Sequence, residues 1–171
     1  MEKVATDIYT FAELRKNGFT YVDKTDILYA MASGEVGKQF FIARPRRFGK
    51  SLAISTLEAL FEGRRDLFAG LAIEPKWDWA KKWPVLHLDM GSTQARDIGE
   101  FRSLVFNQLK SLAGELGVGN VVGDTPGAML FNLINELAAK SEDGLVVVLV
   151  DEYDKPILNH LMEKLQMLIH H

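Results

Sequence analysis

Two stretches of the chain hold residues whose types and order suit phosphate chemistry. The first is ARPRRFGKSL, residues 43–52, which contains Gly49, Lys50 and Ser51 in a row. In the spacing G-x-x-x-x-G-K-[ST], successive backbone N–H groups wrap phosphates at the positive end of a helix. The lysine then reaches the outer phosphates, and the hydroxyl ligates Mg2+. Here the positions run Arg44, Pro45, Arg46, Arg47, Phe48, Gly49, Lys50, Ser51, and only Arg44 departs, standing where the first glycine is expected. That glycine eases the turn out of a strand; an arginine must take a conformation open to an L-residue, and Pro45 fixes the step after it. The expectation is an altered turn that still binds phosphate, with Leu52 extending the binding segment into the helix.

The second stretch is GLVVVLVDEYDKP, residues 144–156, where an apolar run closes on Asp151 and Glu152. Phosphoryl transfer is catalysed mostly by positioning and charge neutralisation, so one acid serves the metal and a neighbouring group orients or deprotonates water. Ser51 and Asp151 are the expected Mg2+ side. Glu152 is the expected base, with Lys50 as the second catalytic group. Ligands of open α/β sheets sit in the crevice at the carboxyl ends of the strands, where such a pair would lie.

These groups need elements to hold them. KQFFIA, residues 38–43, reads as a short buried strand leading into the loop, and a helix follows from about Lys50, carrying Leu52, Ile54, Leu57, Leu60 and Phe61 as far as Gly63. Residues 23–33 read as a short helix capped by Asp23, and 72–83, with all three tryptophans, as a loop or broken helix. VLHLDM at 85–90 reads as a second strand, and residues 98–116 and 125–140 show helical spacing. The unbroken run LVVVLV at 145–150 suits a central parallel strand covered by helices on both faces. Alternating strands and helices imply an α/β, three-layer fold with a largely parallel central sheet. The expected organisation is an N-terminal segment and helix over 1–37, a core over 38–171, and no second domain.

Composition narrows the classes. The chain has 171 residues, a net charge of −3 and no cysteine, so disulfide scaffolds and thiolate zinc sites are excluded. No secretory leader opens the chain and its apolar runs are too short to span a bilayer, so a cytoplasmic protein without a membrane partner is expected. The acidic balance leaves polyanion binding to a local cluster, Arg44, Arg46, Arg47 and Lys50. Asp89 reads either as a site group or as a turn residue, Asp154 either as an added metal-shell group or, by preference, as a helix cap, and His87 as a packed strand residue. Trp77, Trp79 and Trp83 read as core or as a partner surface.

FAELRKNGFTYVDKT, ARPRRFGKSLAISTLEALF and VDEYDKPI, in that order, resemble the predicted AAA-ATPase-like family, relatives of the AAA+ and signalling P-loop ATPases, over about residues 1–160. In that family an arginine at the position of Arg44 is ordinary. The resemblance implies a P-loop NTPase fold, ATP and Mg2+ as cofactors, and Tyr21 to Thr25 near the adenine. It also implies a longer parent, often with a C-terminal nuclease-like domain, and a chain truncated after the strand that ends at Asp151. The expected function is a Mg2+-dependent ATP-binding module that hydrolyses ATP in the intact protein and drives or switches an attached effector. Nucleotide is then the direct partner, nucleic acid one reached through the absent effector domain, and self-association stays open. Two alternatives remain: a non-catalytic nucleotide-binding switch, and a module that binds nucleic-acid phosphates directly, with affinity falling steeply with salt.

Overall fold

The structure is a computed structural model that describes residues 10–43, 48–91, 95–119 and 121–153. The chain forms two compact units, Met1–Trp83 and Pro84–His171. Mixed helix and strand with parallel pairing place it in the α/β class.

The first unit is built on helices α1 (Phe11–Lys16), α2 (Thr25–Ala32) and α3 (Lys50–Phe61), with a 3-10 turn over Arg65–Phe68. Helix α3 buries Ile54, Leu57 and Leu60 at intervals of three, with Ala59 beside them, so that one face meets the core. It stops at Gly63, whose φ of 73° lets the chain fold back; Gly63 N–H donates to Leu60 O at 3.0 Å and Arg64 N–H to Ala59 O at 3.0 Å. Phe11 is fully buried, with ring contacts to Phe68 at 4.8 Å and Tyr21 at 5.1 Å. Two polar links tie α1 down. Phe11 N–H donates to Ser55 Oγ at 2.9 Å, and the Arg15 guanidinium donates to Leu67 O at 2.7 Å and Ala69 O at 2.6 Å. The Phe11–Ser55 bond ties α1 to α3, and the Arg15 bonds tie α1 to the turn that follows α3. The tryptophans lie in the irregular stretch between the 3-10 turn and residue 84, with Trp77 buried against Phe61 and Trp83 at centroid distances of 5.6 Å.

The second unit runs β1 (Val85–Asp89), α4 (Ile98–Glu115), α5 (Pro126–Lys140) and β2 (Val147–Asp151). Asp97 caps α4 by accepting Glu100 N–H at 2.8 Å, and Thr125 caps α5 by accepting Ala128 N–H at 3.2 Å with proline at the first helical position. Strands β1 and β2 pair in parallel, with Val85 opposite Val147 and Asp89 opposite Asp151. Leu86 and Leu88 pack with Val105, Leu109, Met129, Leu133 and Leu137 of the two helices into one apolar core.

Two expectations are corrected. Residues 38–43 form no strand, and Phe40 and Phe41 are exposed, Phe41 to 68%. A strand exists only through its ladder, and the sheet of the described residues consists of β1 and β2 alone. Strand β2, expected to be covered on both faces, leaves Val148 40% and Val150 39% exposed. Leu86 and Leu88, on the same face of the neighbouring strand, take the helix cover instead.

Candidate functional site

The phosphate-loop residues fall into two groups. Arg44, Pro45, Arg46 and Arg47 lie outside the described residues. From Phe48 onward the chain enters α3 through Gly49, which has φ 76° and ψ 27°, a left-handed conformation that glycine adopts without strain. Among the described residues nothing lies within 4 Å of a Cβ placed on Gly49, and its left-handed backbone is what calls for glycine. Among the described residues no side chain caps the helix at Gly49, and no acid stands in its first turn. The first hydrogen bond inside the helix is donated by Ala53 N–H to Gly49 O at 3.0 Å. The N–H groups of Lys50, Ser51 and Leu52 therefore precede the ladder at the positive end of a 12-residue helix, where negative charge is stabilised. Lys50, Ser51 and Leu52 are each partly exposed, in keeping with a helix end that reaches solvent.

The second group stands at the carboxyl ends of the parallel pair. Asp89 and Asp151 are register partners, so their side chains leave the same face of the sheet, and the ladder continues with Met90 N–H donating to Asp151 O at 3.0 Å. Asp151 is buried, and its Oδ1 accepts the Glu152 N–H at 2.8 Å. Asp89 Oδ1 accepts Gly91 N–H at 2.7 Å. Glu152 has φ 49°, a left-handed backbone rare for a side-chain-bearing residue. That conformation turns its carboxylate back across the end of β1. A Cβ built on Gly91 would collide with Glu152 Oε2 and lie 2.8 Å from Glu152 Cδ and 2.9 Å from Asp89 Oδ1.

No group of three or more His, Cys, Asp or Glu side chains among the described residues forms a ready metal cage. Mg2+ keeps several waters and takes one or two carboxylates plus substrate phosphate oxygens. Asp151, a hard oxygen donor with one oxygen held by its neighbour's N–H, is of the type such a hydrated ion uses.

Asp23 and Thr25, in the segment whose resemblance suggested adenine contact, are engaged inside their own unit. Asp23 Oδ1 accepts Thr25 N–H at 2.8 Å and the Thr25 hydroxyl at 2.7 Å, and Oδ2 accepts Ala72 N–H at 2.8 Å. Burial pushes the Asp23 carboxyl up, but these hydrogen bonds outweigh it and hold it below the usual carboxylate value. Tyr21 packs edge-on against Phe11, and burial pushes its phenol up. Asp154 lies outside the described residues, and His87 is half-buried within β1. Sequence reasoning passed over Gly91; a glycine two residues after a strand-end aspartate was its one available signal.

The family model described as Predicted AAA-ATPase matches residues 5–170. The chain is also similar to a protein of Azotobacter chroococcum mcd 1 described as "Uncharacterized protein in vnfD 5'region", with 39% identity over 161 residues. That match covers 94% of this chain and 30% of the relative, so the chain spans under a third of the relative's length. No solved structure matches the chain. No helix among the described residues is long and apolar enough to cross a membrane.

Proposed function

The chain belongs to the predicted AAA-ATPase family, and from that premise we propose that it is a Mg2+-dependent ATP-binding module of the P-loop type, hydrolytic in the intact protein. The observation that carries this reading is the start of α3. A left-handed Gly49 hands the chain into a helix that begins Lys50-Ser51, so backbone N–H groups, a cation and a hydroxyl stand together at a positive helix end. Lys50 neutralises the outer phosphates, and the segment Arg44 to Leu52 lines them. Mg2+, when bound, supplies charge neutralisation at the transferring phosphoryl group; Ser51 Oγ and Asp151 are the residues that would hold it. Glu152 orients the attacking water and accepts its proton at a carboxylate oxygen. On this reading the three-layer sheet of P-loop proteins is the parent architecture, and turnover drives or switches an attached effector, a nuclease domain being one form.

Calorimetric titration with a slowly hydrolysed ATP analogue, with and without Mg2+, tests the binding step. Mg2+-dependent binding that drops at least about tenfold in Lys50→Ala is expected, as for loss of a charge-assisted contact. Glu152→Gln should keep nucleotide affinity and abolish turnover in the full-length protein. Folded wild type that binds no nucleotide refutes the reading.

A further inference from the structure

The geometry points to Gly91 as a positioning residue for Glu152: the missing side chain at 91 is the space in which the Glu152 carboxylate is set. The inference rests on the ATPase reading above and names a residue that reading does not use.

Three observations in the second unit converge on it. Glu152 holds a left-handed backbone, φ 49°, which aims its side chain toward the end of β1 instead of onward with the chain. Its carboxylate then occupies the volume a Cβ on Gly91 would fill, with Oε2 inside contact distance and Cδ at 2.8 Å. Gly91 itself is not among the glycines with positive φ, so its backbone does not require glycine. Conformational freedom therefore does not account for this glycine, whereas the close approach of Glu152 does.

Asp89 completes the arrangement. Its Oδ1 accepts the Gly91 N–H at 2.7 Å and lies 2.9 Å from the same Cβ position, so the turn after β1 is pinned while Glu152 rests on it. Gln108 of α4 donates from Nε2 to Asp89 O at 3.4 Å, linking the strand end to the helix behind it. Because the atoms that a Cβ at 91 meets are the far ends of flexible side chains, Gly91→Ala is accommodated by swinging Glu152 aside and leaves the fold intact. A base moved by about 1 Å loses on the order of a hundredfold in rate.

The test uses the full-length protein and three variants: Gly91→Ala, Glu152→Asp and the double variant. Turnover at saturating Mg2+-ATP should fall about 10- to 100-fold in Gly91→Ala, while KM and analogue affinity stay within about twofold. Glu152→Asp, shorter by one methylene, withdraws the carboxylate from position 91. In that background Gly91→Ala should cost less than about twofold, the non-additivity expected of two groups in contact. Crystal structures of wild type and Gly91→Ala read the placement directly, and a carboxylate displaced by about 1 Å or more is expected. Unchanged turnover in Gly91→Ala, equal losses in both backgrounds, or an unmoved carboxylate overturns the inference. Wild type that binds nucleotide but never hydrolyses it overturns this inference and leaves the binding reading standing; wild type that binds nothing overturns both.

Discussion

Replacing Asp23 with alanine separates a structural role for residues 21–25 from a ligand role. The carboxylate gathers three donors: Thr25 N–H at 2.8 Å, the Thr25 hydroxyl at 2.7 Å and Ala72 N–H at 2.8 Å. Thr25 is fully buried and its Oγ1 in turn accepts Ile73 N–H at 3.2 Å, so one acid fastens the start of α2 to a chain segment 49 residues away. Hydrogen bonds to a charged group contribute about 1.5–3 kcal/mol each when well buried. Asp23 and the Ala72 link are exposed, so water replaces that donor's partner, and the loss comes chiefly from the Thr25 pair. The expected cost is about 2 kcal/mol, or a urea midpoint lower by about 1 M. Tryptophan fluorescence is the assay, because Trp77, Trp79 and Trp83 all belong to this unit. The dependence on pH follows from the lowered carboxyl. Protonation is harder in the folded state than at the ordinary 3.8, so the contribution is complete above about pH 4 and disappears as pH falls through the folded value. The stability gap between wild type and Asp23→Ala should therefore close in acid. A midpoint shift below about 0.2 M, or intact stability with nucleotide affinity lost, would refute this account.

Gly49→Ala places a Cβ at φ 76° and should cost about 1–2 kcal/mol while weakening nucleotide binding, read by denaturation and calorimetry together. An affinity equal to wild type would show that the helix entry does not shape the phosphate site. Leu133→Ala empties part of the second unit's core, where Leu133 is fully buried, and should cost about 2–5 kcal/mol by circular dichroism. A cost under about 1 kcal/mol would mean that α5 is not part of a cooperative core.

Helices α3, α4 and α5 were legible because their signals are local, whereas the six-residue α1 was not read. Apolar spacing marks α3, α4 and α5, and Gly63 marks the stop of α3; the caps Asp97 and Thr125 came with the structure. Strand β2 was legible in type, since a β-branched run ending in Asp-Glu has few other readings. KQFFIA was not, because an apolar hexapeptide becomes a strand only if a neighbouring edge receives its backbone, and nothing in six residues specifies that edge. Nor could the run LVVVLV reveal that Val148 and Val150 stay exposed, because cover depends on which strand the helices cross.

The chain's order of residues by itself determined the Gly49-Lys50-Ser51 helix start and the Asp151-Glu152 strand end, since each is a short-range pattern with its own backbone consequence. Only the tertiary structure decided that Asp89 pairs in register with Asp151, that Asp23 is committed to Thr25 and Ala72, and that Glu152 lies over Gly91. Apart from the local Asp23–Thr25 bonds, these contacts join residues dozens of positions apart. They depend on strand register and on how each core closes, quantities set by the sum of many packing contacts rather than by any one stretch of sequence.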